Sequence, residues 1–131
     1  MWTAETVLVC ALAMLGRSAA SYPPVVFDVV RPPDVSPRAE AFVRGGDPRV
    51  HLVTSSAVFQ RMQRSPDRCG KLEDIRKLAS VLAHEEQHIN GKGEDVAYAA
   101  QAMSLIAMGA GPGHAVYAEV ARSRRAALLK R

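Results

Sequence analysis

Apolar residues recur at Leu72, Ile75, Leu78, Leu82 and Ile89, in steps of three, four and seven. At about 100° per residue those steps put all five on one stripe, so the pattern predicts a helix from Lys71 to Asn90. Gly91 closes it, because glycine enters the left-handed conformation without a Cβ clash. A second helical pattern runs from Glu94 to Met108 and places Glu94, Tyr98, Gln101 and Leu105 on one stripe. It stops at Gly109-Ala110-Gly111-Pro112, and a third helix is expected from Gly113 to about Lys130. Upstream the period shortens. Val25 to Val30 is an apolar run bracketed by prolines and reads as a strand. "RAEAFVRGG" fits a short helix or a second extended piece, and Gly45-Gly46-Asp47-Pro48 reads as a turn. "RVHLVTSS" alternates as a strand, with Val50, Leu52 and Thr54 on one face and His51 and Val53 on the other. It could be an edge that pairs with an extended peptide, or an ordinary structural strand. Ser55 or Ser56 can cap a short helix, "AVFQRMQR". Strands precede helices, which is the order of an α+β fold with a small N-terminal β-sheet packed on a helical bundle.

The chain's 131 residues suffice for one domain, and 48% of them are apolar, which excludes a disordered chain. The net charge of +4 is scattered except for "RSRRAALLKR", which reads as a solvated helix face. Aromatic residues are few and do not alternate with basic ones, so no nucleic-acid partner is expected. Val7 to Leu15 has the length of a secretory signal core, and Ser18-Ala19-Ala20 supplies small residues for cleavage before Ser21. On that reading residues 1–20 are a signal peptide and residues 21–131 a single domain. The protein is then exported to the periplasm or beyond, without stable membrane insertion after removal of the leader. The segment before the apolar run has no Lys or Arg and carries Glu5, which fits a buried N-terminal helix and a cytoplasmic protein instead. Cys10 and Cys69 are the only cysteines. With the leader removed Cys69 stands alone, no internal disulfide is possible, and Cys69 reads as a small half-buried side chain before a helix.

The chemistry concentrates in His84-Glu85-Glu86-Gln87-His88, an H-E-x-x-H sequence inside the strongest amphipathic helix. Residues i and i+4 stack on one helix face, so both imidazoles can reach one metal ion. Glu85 projects beside them, placed to take a proton from a metal-activated water without ligating the metal. The three fixed letters coincide by chance in roughly one chain of this length in a few hundred. Glu94, Asp95 and His114 are candidates for a third ligand. Glu94 ranks first, because the Asn90–Gly93 turn folds the next helix back while its stripe carries Leu105 into the core. Asp95 is rotated by about 100° from it, and His114 lies beyond a second break. Helix-dipole preference alone would also account for Glu94. Two histidines and a carboxylate suit Zn²⁺ with one open position. Tyr98 could donate a hydrogen bond to a developing oxyanion, or its hydroxyl could bond Glu94 or a histidine ring. Gln101 could support a ligand histidine or simply join two helices. His51 reads as a partly exposed strand residue, Glu86 as a solvated charge, and Lys92 as a turn residue without a role.

His84-Glu85-x-x-His88-x-x-Gly91-x-x-Glu94 resembles the metzincin pattern, whose last ligand is usually His or Asp. No methionine-containing turn follows, since Met103 and Met108 fall within a predicted helix. A carboxylate from the following helix resembles the gluzincins, whose glutamate usually lies further along. From Ala39 to Ala110 the chain resembles small bacterial zincin-like proteins of the minigluzincin type. The shared features are "LASVLAHE..H", a short glycine turn, Glu94 with Ala97-Tyr98 and Gln101, and Met108-Gly109-Ala110. The resemblance implies a zincin-like active-site helix followed by two helices. It also implies a zinc-dependent metallopeptidase with a peptide or protein substrate. In this reading His84, His88 and Glu94 hold the metal and Glu85 and Tyr98 act in catalysis. The alternative is a non-catalytic zincin-fold binding or scaffold protein with a structural metal site.

Overall fold

A long helix needs cover on several sides when its apolar stripe is wide, and α3 (Leu72–Ile89) receives it. Ile75, Leu78, Ala79, Val81 and Leu82 are buried along it. The computed structural model describes residues 1–129. In chain order it contains α1 (Ala4–Met14), β1 (Val25–Asp28), β2 (Ala41–Val43), β3 (Val50–Val53), α2 (Ala57–Arg64), α3, α4 (Glu94–Ala107) and α5 (Ala115–Leu129). Against α3 pack α1, α2, the strands β2 and β3, and the pair α4 and α5. The architecture is α+β, a small three-stranded sheet on a helical bundle. Leu72 lies half exposed and Ile89 only half-buried, because the stripe outruns its cover at both ends of α3. The expected end of the last helix at about Lys130 lies outside the described residues.

The sheet order is β1-β3-β2, with β1 parallel and β2 antiparallel to β3. Thus β3 is the central strand, and of its two readings the ordinary structural strand is the one that holds, not the edge. "RAEAFVRGG" resolves as the extended piece β2, paired Ala41 to Leu52 and Val43 to Val50. The first strand ends at Asp28, not Val30. Asp28 pairs with Val53, the last residue of β3, so Val29 and Val30 have no strand to pair with and lie exposed. Val50, Leu52 and Val53 are all fully buried, so both faces of β3 are covered. Ser56 caps α2, its hydroxyl accepting from the Phe59 N–H.

The segment expected as a leader forms α1, and Val7, Cys10, Ala11 and Leu12 are buried in the main core. The Trp2 indole N–H donates to the Ser65 carbonyl, and the Trp2 backbone exchanges hydrogen bonds with Gln63. Cys10 and Cys69 form a disulfide across 59 positions, which corrects the reading of Cys69 as an unpaired thiol. The pairing follows from keeping α1: packed on α2 and α3, it carries Cys10 to the loop that enters α3. Glu86 is likewise not a solvated charge. Arg17 grips both its carboxylate oxygens at 2.7 Å while lying over the Tyr22 ring. Among the described residues no helix is long and apolar enough to cross a membrane.

Candidate metal centre

Helix α3 closes on a Gly91 of positive φ, 78°. The Lys92 N–H bonds back to the Gln87 carbonyl and the Gly91 N–H to the His88 carbonyl, which satisfies the last open groups of the helix. This closure reverses the chain within a few residues, and α4 begins at Glu94 lying against α3. Leu105 is fully buried and Gln101 nearly so, as the expected stripe requires, and Glu94 is carried over the histidines.

Ligand atoms of His84, His88 and Glu94 lie within 4.8 Å of one another. His84 Nε2 stands 3.1 Å from Glu94 Oε1 and 3.2 Å from His88 Nε2, and His88 Nε2 also touches Glu94 Oε1. Donors held about 2.0–2.2 Å from one tetrahedral ion stand roughly 3.3 Å apart, so the spacing fits a metal.

The other ring nitrogens decide the proton positions. The Ser80 hydroxyl donates to the Lys77 carbonyl at 2.7 Å, so its oxygen accepts the Gln101 amide N–H at 3.2 Å. Gln101 Oε1 therefore faces His84 Nδ1, at 2.9 Å, and accepts a proton from it. His88 Nδ1 stands 2.9 Å from the Lys92 carbonyl, which can only accept. Both Nδ1 atoms carry protons, and in the neutral rings both Nε2 lone pairs point at Glu94. Burial, the largest influence on His84, holds its imidazole below the ordinary value and so favours the neutral ring. With both rings neutral, two lone pairs and a carboxylate oxygen converge, an arrangement that a cation at their centre satisfies.

Of the other candidate ligands, Asp95 is exposed on α4 and His114 lies at 3.5 Å from an Arg76 guanidinium nitrogen; neither belongs to the cluster. Against known proteins, the chain matches no family model, no curated protein and no solved structure.

Glu85 is nearly buried, 4.0 Å from His84 Nε2, and makes no hydrogen bond among the described residues. Burial, then the charges of Glu94 and Glu40, push its carboxyl up to about 8. A cation at the three-donor point would oppose that shift. The Tyr98 ring stands edge-on to His84 with centroids 4.5 Å apart. Its hydroxyl bonds neither Glu94 nor a histidine ring, and burial raises its pKa, with Glu94 adding to the effect. Sequence reasoning missed the Lys92 carbonyl, which orients His88, and Ser80, which fixes the Gln101 amide. It also underestimated His51, whose ring nitrogens lie 2.7 Å from Asp28 and 2.8 Å from Asp47 while the ring stacks on Phe42. That cluster sits in the sheet and takes no part in the metal centre.

Proposed function

We propose that the protein is a zinc-dependent peptide hydrolase in which His84, His88 and Glu94 hold the ion and Glu85 is the general base. The observation that carries this reading is the convergence of three acceptors with both Nδ1 protons already committed elsewhere. Two imidazoles and one carboxylate favour zinc among divalent ions and leave a coordination position open. A bound ion of this kind lowers the pKa of a water molecule to about 7 and polarises a carbonyl oxygen. Glu85, beside the donors but outside their cluster, accepts the water proton and returns it to the leaving amine. The Tyr98 hydroxyl, without a hydrogen bond among the described residues and on a ring packed against His84, would donate to the oxyanion that develops on the substrate carbonyl. The sequence resemblance to minigluzincin-type proteins points the same way.

The test is metal content together with cleavage of unstructured peptides by the full-length protein. His84→Ala should purify without zinc. Glu85→Gln should keep its zinc and lose turnover by about 100-fold or more. Bound zinc with every measurable property untouched by Glu85→Gln would instead select a binding or scaffold protein with a structural metal. The Cys10–Cys69 bridge supports an oxidising compartment and so export. Cleavage before Ser21 would remove Cys10, so an exported form that keeps this bridge must keep α1.

A further inference from the structure

Tyr98 belongs to two places at once. Its ring packs perpendicular to that of His84, and it also walls a groove of about 310 Å³ between α4 and α5. Ala102, Tyr117, Val120 and Leu128 give that groove an apolar lining, and Arg124 and Arg125 also border it. Both arginines are exposed, and neither has an ion pair or hydrogen bond among the described residues. The volume is at the low end for ligand pockets, enough for one large side chain and its neighbour.

We propose that this groove selects the substrate: a peptide with a large apolar side chain beside an internal Asp or Glu, the apolar group entering the groove and the carboxylate meeting Arg124 and Arg125. This rests on the hydrolytic reading of the metal centre and names its substrate class. Position argues for it. Tyr98 lies one turn along α4 from Glu94, about 6 Å of rise. Its ring also packs on that of His84, centroids 4.5 Å apart, so the groove begins one aromatic ring away from the three-donor point. Charge argues for it as well. Two unpaired guanidinium groups beside apolar surface favour a carboxylate carried next to an apolar group. Their exposure suits a chain that passes over the groove rather than a terminus buried in it.

The experiment uses full-length protein stripped of metal, so that no peptide is cut. Three fluorescein-labelled octapeptides are compared by anisotropy, identical except for a central Leu-Glu, Leu-Gln or Ser-Glu pair. The Leu-Glu peptide should bind about tenfold more tightly than either other peptide. The preference over Leu-Gln should shrink in high salt and vanish in the R124Q/R125Q double variant, whose changes are exposed and should leave the melting temperature unmoved. Equal affinity for the three peptides, no measurable binding, or a preference that survives the double variant would overturn the proposal. Cleavage is read separately on zinc-loaded protein. Turnover without Glu-selective binding removes the groove and keeps the hydrolytic centre; Glu-selective binding without turnover does the reverse.

Discussion

Gln101 governs His84 without entering the three-donor cluster. Its amide is fixed by the Ser80 hydroxyl, so its oxygen takes the Nδ1 proton and turns the Nε2 lone pair inward. Gln101→Leu removes that acceptor while keeping most of the volume, and zinc affinity should fall by about 10- to 100-fold. Competition against a chelating dye measures this, and an unchanged affinity would mean the amide does not set the tautomer. Gln101→Glu, which keeps an acceptor, should retain most of the affinity. At this scale the centre was legible where side chains do the work. The i, i+4 spacing of His84 and His88, and the stripe of Glu94, Tyr98, Gln101 and Leu105, follow from helix periodicity alone. Lys92 was opaque because its contribution is a main-chain carbonyl, which leaves no trace in residue type. His51 was opaque because its partners come from a neighbouring strand and a turn.

The α3–α4 closure is the element on which the geometry turns. Gly91 holds φ at 78°, where a side chain costs about 1 kcal/mol or more. Gly91→Ala should therefore lower stability by about that amount, and it should weaken zinc binding because the Lys92 carbonyl and Glu94 both follow the turn. Lys92→Ala should leave zinc affinity nearly unchanged, since the main chain rather than the ammonium holds His88. Thermal melting with and without zinc separates the two effects. A zinc affinity reduced as much by Lys92→Ala as by Gly91→Ala would contradict this account. The helices were legible because their stripes and glycine stops agree. The strands were legible as elements but not as an order. Alternation shows which residues share a face, whereas the central place of β3 depends on a parallel pairing with β1 across an intervening segment.

For the molecule as a whole, the N-terminal segment decides what the native domain is. An apolar run of this length suits a cleaved signal and a core helix equally, and only packing separates them. In the structure Val7 and Leu12 are almost wholly buried, the N-terminal segment binds Gln63, Ser65 and Glu86, and Cys10 closes a bridge spanning 59 positions. The chain-entropy model assigns a bridge of that span about 4 kcal/mol, against a typical domain stability of about 5–15 kcal/mol. Docking α1 adds apolar burial, part of which is offset by the cost of ordering the segment. Cys69→Ser should therefore lower stability by about 2–4 kcal/mol in urea unfolding without reducing agent, with reduced wild-type protein matching the variant. Removing residues 1–20 deletes the bridge, the Arg17–Glu86 pair and the cover over α2 and α3, so the loss should exceed that of Cys69→Ser. The truncated chain should bind hydrophobic dye and unfold without a sharp transition. An unfolding midpoint for residues 21–131 equal to that of the full chain would show instead that α1 is dispensable to the fold.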